Sequence, residues 1–257
     1  MDQDCSDHHV RFGPMAAAAA RAIGAAWPVF LAAWAARGLL EAVQPILRMA
    51  HVTAPSRGFD PAQTAFSLAI GAATAVVSGL LIRWLLERRP MALRPDLRLA
   101  SYVGLMVAWN IVSLSVTLAV APHPLGAPVH DLLVQMARFN VAAIGLPLAA
   151  AAIALWPISL LVGDRLSPLR ALRWMSQAYG PFLLAAVLLI LPGVLLTVAG
   201  AWTHHLPRSP TDRLWSLALS SLTTTASTFV LAQVYSRRIR GTDLAASGSN
   251  AGALASA

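Results

Sequence analysis

Five long stretches of this chain carry no charged residue, and they constrain its fold more than any other feature. They cover residues 61–82, 99–122, 139–163, 174–203 and 214–236. A helix needs about 20 predominantly apolar residues to cross the hydrocarbon core of a bilayer. Every one of the five stretches is longer than this, so each predicts a membrane-spanning helix.

A sixth apolar segment, at 22–46, is uncharged for its first 15 residues only and then contains Arg37 and Glu41. These two side chains are four residues apart, so they lie on one helix face and can neutralise each other. An alternative interpretation is a cleaved signal peptide with Arg21 as its basic flank. The apolar residues continue in helical spacing as far as Leu47, and this pattern favours a sixth span.

The composition excludes several classes of protein. Only 12% of the residues are charged, whereas a soluble domain has about a quarter. All basic residues are arginine, so no lysine-dependent chemistry is available. The net charge of +8 raises the question of nucleic acid, but the arginines separate apolar segments instead of clustering on a polar domain. We therefore expect the lipid bilayer and its anionic headgroups as partners, and no nucleic acid.

Together these features predict an all-α, polytopic transmembrane bundle with its membrane domain at 22–240. The six expected spans are about 22–46, 61–83, 99–121, 139–162, 178–203 and 214–236. We expect a polar N-terminal tail at 1–21, in which Met15 is an alternative start, and a flexible C-terminal tail at 241–257.

The arginines also predict an orientation, because basic residues in short loops stay on the cytoplasmic side of a membrane. In the six-span arrangement 13 of the 19 arginines fall on one side and five on the other, with Arg37 inside a span. This distribution predicts that both termini are cytoplasmic and that the protein lies in a bacterial inner membrane. Ser167-Pro168 further predicts the capped start of a short amphipathic helix on the inner headgroups.

Polar residues inside the spans are the candidate functional residues, because they are costly there unless they face protein or water. The candidates are Arg37, Glu41, Asn110, Ser220 and Thr224. One interpretation is a polar path for a small solute. The other, which we favour, is structural: a satisfied ion pair near the outer end of the first span, a cross-helix asparagine, and a hydroxyl stripe that lets helices pack closely.

Small residues at Gly71, Ala75 and Gly79 recur every four positions along one face of the second span. Such a pattern is typical of a close helix–helix contact. It predicts either packing within the bundle or a homo- or hetero-oligomeric interface.

Five histidines fall in the expected outer loops, where they raise the question of a metal site. They are His51, His123, His130, His204 and His205. None has the spacing that places two ligands on one helix face. The chain also lacks the motifs of zinc proteases, serine hydrolases and phosphate-binding loops. We therefore expect no catalytic residues, no metal and no cofactor.

The segment P-I-S-L-L-V-G-D-R-L-S-P-L-R-A-L-R at 157–173, followed by Ser176, resembles the YciC and glycerophosphodiester-phosphodiesterase membrane-domain families. The ending of the last span, with Tyr235 and arginines up to Arg240, is similar as well. In place of the family's A-L-x-x-S spacing, the serine here comes one residue later. The resemblance implies a six-span bacterial inner-membrane protein, and it offers no catalytic residue to carry over.

Two functional classes remain. The first, which we expect, is a noncatalytic membrane scaffold or accessory protein with a dry, closely packed interior. The second is a small-solute carrier or channel, in which the five polar candidates surround one continuous path.

Overall fold

The computed structural model describes residues 12–50, 61–87, 93–120, 129–164, 166–202, 210–241 and 244. These ranges contain nine helices and no strand. The helices are α1 (Phe12–Ala25), α2 (Trp27–Ala50), α3 (Pro61–Glu87), α4 (Leu97–Val120), α5 (Val129–Ile153), α6 (Leu155–Val162), α7 (Pro168–Gln177), α8 (Tyr179–Trp202) and α9 (Pro210–Ile239). The expected all-α fold is thus confirmed.

Prolines explain three breaks between consecutive helices. A proline has no N–H for the carbonyl four residues earlier, and its ring collides with that carbonyl. Pro28, Pro157 and Pro181 each follow a break by two or three residues, at the junctions α1–α2, α5–α6 and α7–α8. By contrast, α5 continues through Pro147 and α8 continues through Pro192.

The breaks change the expected spans. Within the described ranges, four helices are long and apolar enough to cross a membrane, namely α3, α4, α5 and α9. The pair α1 and α2 is bent by 91° and the pair α7 and α8 by 101°, so the total rises to six if each bent pair is one span. The expected span 139–162 differs from the structure, since the spanning part is Val134–Ile153 and α6 is a separate short helix.

Helix α9 forms the centre of the bundle and packs against α1, α2, α3 and α8. Phe229 and Val234 are fully buried, and so are the hydroxyls of Ser221 and Thr225 on the same helix. Helices α4 and α5 lie at the periphery and expose apolar side chains such as Val112. This arrangement, with hydroxyl groups inside and aliphatic groups outside, suits a bundle surrounded by lipid.

The small-residue face of α3 packs against α4, as a helix–helix contact requires. A Cβ atom on Gly79 would lie 2.7 Å from Leu99 Cδ1 and 3.1 Å from Tyr102 Cδ1. A Cβ atom on Gly71 would lie 2.6 Å from Asn110 Nδ2. The expected contact therefore lies within the bundle, and glycine is required for the close approach.

Arginine side chains join the helix ends at one end of the bundle. Arg83 of α3 pairs with Asp96 at 3.0 Å, and Asp96 also accepts the N–H of Leu99 at the start of α4. Arg98 donates to the last carbonyl of α6, and Arg240 donates to Leu86 O, both at 3.0 Å. These contacts satisfy carbonyls that helix ends leave unpaired.

Most of the two expected tails lies outside the described residues, but the residues that are described there include some that pack against the bundle. The chain is helical from Phe12, and Met15 and Ala22 of α1 are fully buried against the bundle, so the first helix begins before residue 22. At the other terminus the backbone N–H of Leu244 donates to Gln233 Oε1, and the Leu244 side chain is 1% exposed. Leu244 itself is thus held against the bundle, which the polar and small-residue composition around it does not reveal.

The predicted amphipathic helix is present as α7. Ser167 caps it by accepting the N–H of Arg170 at 3.3 Å, and Pro168 occupies its first turn. Its buried residues are Ala171 and Met175, whereas Leu169 and Leu172 are exposed. The bundle therefore covers the side with Ala171 and Met175 and leaves the leucines on the outer side.

Candidate functional site

The guanidinium group of Arg37 lies fully buried at the junction of α2, α3 and α9. Its Nη1 atom donates to Thr225 Oγ1 at 3.1 Å, and its Nη2 atom donates to Thr228 Oγ1 at 2.9 Å and to Ser78 Oγ. An arginine side chain stays protonated in proteins. The structure therefore places a positive charge inside the bundle and holds it with three hydroxyl groups.

These three hydroxyls are oriented by their own helices. Each donates its proton to a backbone carbonyl three or four positions earlier, so that its oxygen lone pairs are left for the guanidinium. The accepting carbonyls belong to Thr74, Ser221 and Thr224, at 2.6, 2.7 and 2.9 Å. The hydroxyls thus form a preorganised set of acceptors, which compensates part of the cost of burying Arg37.

The hydroxyl groups compensate the charge of Arg37 only in part, because no carboxylate in the described part of the chain forms an ion pair with it. Glu41, one turn further along α2, instead accepts a hydrogen bond from Ser220 of α9. The Nε atom of Arg37 is buried and has no hydrogen-bond partner among the described residues. Arg37 and Glu41 therefore form no direct ion pair, although the two charges attract each other. The guanidinium does not reach the bundle surface.

A cavity of about 190 Å³ adjoins Arg37. It lies between α2, α3, α4, α5, α6, α8 and α9, at the level of the break between α5 and α6. Aromatic and aliphatic side chains form most of its wall, among them Tyr102, Met106, Trp109, Trp156, Leu189 and Leu231. Ser78, Thr224, Ser227 and Thr228 add hydroxyl groups near Arg37.

The wall of the cavity contains few kinds of ionisable side chain. Among the described residues that line the cavity, Arg37 is the one charged side chain, and there is no carboxylate, histidine or cysteine. General acid–base and nucleophilic catalysis normally depend on such groups. By contrast, an apolar wall with a few polar groups at one place is typical of a binding pocket.

The structure brings together four of the five polar candidates. Arg37 and Thr224 line the cavity, while Glu41 and Ser220 are bonded to each other one turn away. Asn110 lies elsewhere, against Gly71 between α3 and α4. A single continuous polar path through all five residues is therefore not formed.

Sequence reasoning missed the partners of Arg37. Thr225 and Thr228 belong to the run of serines and threonines on α9, but neither is among the five candidates expected from the sequence. Ser78, next to Gly79, was not distinguished as a candidate at all. The available signal was the spacing of Thr225 and Thr228, which puts both hydroxyls on one helix face.

Most of the histidines in question, namely His51, His123, His204 and His205, lie outside the described residues. His130 lies in the first turn of α5. Within the described ranges, no group of three or more histidine, cysteine or acidic side chains is placed to hold a metal ion.

Comparison of the chain with models of protein families, with curated proteins and with solved structures finds no match. The candidate site therefore has to be interpreted from its own geometry.

Proposed function

We propose that this is a noncatalytic, multi-pass membrane protein that binds an apolar molecule inside its helix bundle. The observation that carries the proposal is the apolar cavity of about 190 Å³ beside the buried Arg37. The cavity is partly open, and an apolar recess with a few polar groups at one place is typical of a binding pocket. Among the described lining residues there is no carboxylate, histidine or cysteine, and this supports binding over catalysis.

The size of the cavity indicates the size of the ligand. An apolar cavity of about 150 Å³ in a protein core stays free of water and binds benzene. At about 190 Å³ the cavity suits one aromatic ring or a short to medium alkyl chain. A carrier and a binding or accessory protein both need such a site, and the fate of the bound molecule separates the two.

Other elements of the proposal depend on the arginine distribution and the family resemblance. We place both termini in the cytoplasm and the protein in a bacterial inner membrane, with the YciC-like six-span arrangement as the working topology. The contacts of Arg83, Arg98 and Arg240 at one end of the bundle support a basic inner side. The outer leucines of α7 and the peripheral α4 and α5 provide the lipid-facing surface.

Photolabelling in lipid nanodiscs tests the binding function. A diazirine derivative of 1-octanol should label cavity residues such as Met106 and Leu189, and excess unlabelled 1-octanol should suppress this labelling. Ala150 lines the cavity, whereas Ala143 of the same helix is exposed. Ala150→Trp should therefore abolish the saturable labelling, and Ala143→Trp should leave it unchanged. Labelling that does not saturate, or that both variants leave intact, contradicts the proposal.

A further inference from the structure

We infer that the molecule bound in this cavity is an apolar monocarboxylic acid, whose carboxylate accepts a hydrogen bond from Arg37 Nε. This inference rests on the proposed binding function and specifies its ligand. Two features carry it: a buried cation that forms no ion pair with a carboxylate of the described residues, and an apolar cavity that the same side chain lines.

The first step concerns charge. A buried cation is costly unless an anion or several hydrogen bonds compensate it. Arg37 has five N–H donors, of which three are used by Ser78, Thr225 and Thr228. These acceptors are neutral, so they satisfy donors without neutralising the charge. Glu41 attracts this charge from one turn away but forms no ion pair with Arg37, so an anion in the cavity would supply a direct contact that the described side chains do not.

The second step concerns the orphaned donor. The Nε atom of Arg37 is buried and has no partner in the part of the chain that the structure describes, although buried polar atoms are nearly always hydrogen-bonded. A carboxylate oxygen beside it would make a charge-assisted hydrogen bond, which is stronger than a neutral one. Glu41 does not take this position, because its carboxylate is bonded to Ser220.

The third step concerns the number of charges. One arginine faces the cavity, and a carboxylate brings one negative charge to match it. A phosphate monoester carries about −1.5 to −2 at neutral pH. A phosphate monoester would therefore bring more negative charge into the apolar cavity than one arginine neutralises. A phospholipid has a single charge on its phosphodiester group, but its glycerol backbone and two acyl chains exceed a cavity of about 190 Å³.

The fourth step concerns the remainder of the ligand. The wall away from the hydroxyl groups consists of side chains such as Trp109, Met106 and Leu189, which offer no charge to a second polar group. Burial of each methylene group of an alkyl chain against such a wall strengthens binding through the hydrophobic effect. The ligand is thus a molecule with one acidic end and an aliphatic or aromatic body.

Competition among ligands of equal chain length tests this inference in the intact protein. Octanoate, 1-octanol, octylammonium and octyl phosphate are compared as competitors of the photoactivatable octanol in nanodiscs of neutral phosphatidylcholine. Each concentration is corrected for the measured partitioning of the compound into the bilayer. We expect octanoate to displace the label at ~10-fold lower membrane concentration than 1-octanol, as a charge-assisted hydrogen bond implies. Octylammonium should be the weakest competitor.

Substitutions of Arg37 test the origin of this preference. Arg37→Gln should remove the ~10-fold advantage of octanoate and leave displacement by 1-octanol in place. Arg21→Gln, at an exposed position of α1, is the matched control and should preserve the preference. If Arg37→Gln does not fold, the ligand series on the unmodified protein still decides the question.

The outcomes separate the inference from the function on which it rests. Equal displacement by octanoate and 1-octanol overturns the monocarboxylate inference and leaves the binding function standing. Tighter binding of octyl phosphate also overturns it, in favour of a phosphate ligand. Failure of every compound to displace the label overturns both.

Discussion

Arg37 Nη2 donates to Thr228 Oγ1 at 2.9 Å, although the two residues are 191 positions apart in the chain. This contact joins α2 to α9, and it uses a hydroxyl whose own proton is held by Thr224 O. A charged donor thus depends on an acceptor that the central helix presents in a fixed orientation.

Replacing this acceptor should destabilise the protein. Thr228→Val keeps the side-chain shape and leaves a charged donor unsatisfied, so we expect the free energy of unfolding to fall by about 1–3 kcal/mol. The matched control is Thr223→Val, since the Thr223 hydroxyl bonds only to carbonyls of its own helix. Its cost should stay below about 1 kcal/mol. Unfolding in mixed micelles measures both, and equal losses would contradict a special role for Thr228.

The close contact between α3 and α4 gives a second prediction. Gly79→Ala places a Cβ atom against Leu99 and the ring of Tyr102, and such overpacking costs about 1–3 kcal/mol. Gly104→Ala on α4 meets no atom within 4 Å, so it should be neutral or stabilise by up to about 1 kcal/mol through the higher helix propensity of alanine. The same unfolding measurement compares the two. A tolerated Gly79→Ala would show that the helices separate more easily than this contact implies.

The anchored residue after α9 gives a third prediction. Leu244 is 1% exposed and packs in a cluster with Ala22, Leu85 and Phe229. Leu244→Ala should therefore reduce the free energy of unfolding by about 2 kcal/mol or more. Leu169 on α7 is 79% exposed, and Leu169→Ala should change it by less than about 0.5 kcal/mol. If the two variants are equally stable, Leu244 is not an anchor.

Labelling of single cysteines separates the four-span and six-span arrangements. Five spans separate Ser56 from Ser247 if each bent pair crosses the membrane, and four separate them if only α3, α4, α5 and α9 do. In a Cys5→Ser background, we expect Ser56→Cys and Ser247→Cys to react with an impermeant maleimide from opposite sides. Reaction of both from the same side would contradict the six-span topology.

The sequence predicts the helices of this protein well, because the requirement for about 20 apolar residues is a property of the bilayer and is visible in the charge pattern. The sequence predicts poorly which of these helices are continuous and which are broken. Pro28, Pro157 and Pro181 end the preceding helix, whereas Pro147 and Pro192 do not. Packing of neighbouring helices decides between these outcomes, since it determines whether freed carbonyls find other donors.

The candidate site is likewise predictable from the sequence only in part. Arg37 is conspicuous in the sequence as a charge within an apolar segment, and the hydroxyl stripe of α9 is equally visible. Their pairing across α2 and α9 depends on the relative rotation of the two helices, which a local pattern does not contain. The cavity is still harder to predict, because seven helices contribute to its wall and the α5–α6 break helps to shape it.

The most direct test of the central claim is the position of a bound acid. Crystals of the protein grown from lipid and soaked with 8-bromooctanoate give an anomalous bromine signal that locates the ligand without reference to a model. We expect the bromine inside the cavity, among Met106, Trp109 and Leu189, with the carboxylate beside Arg37 Nε. Bromine found only among lipids on the outer surface of α4 and α5, with the cavity empty, would contradict the account.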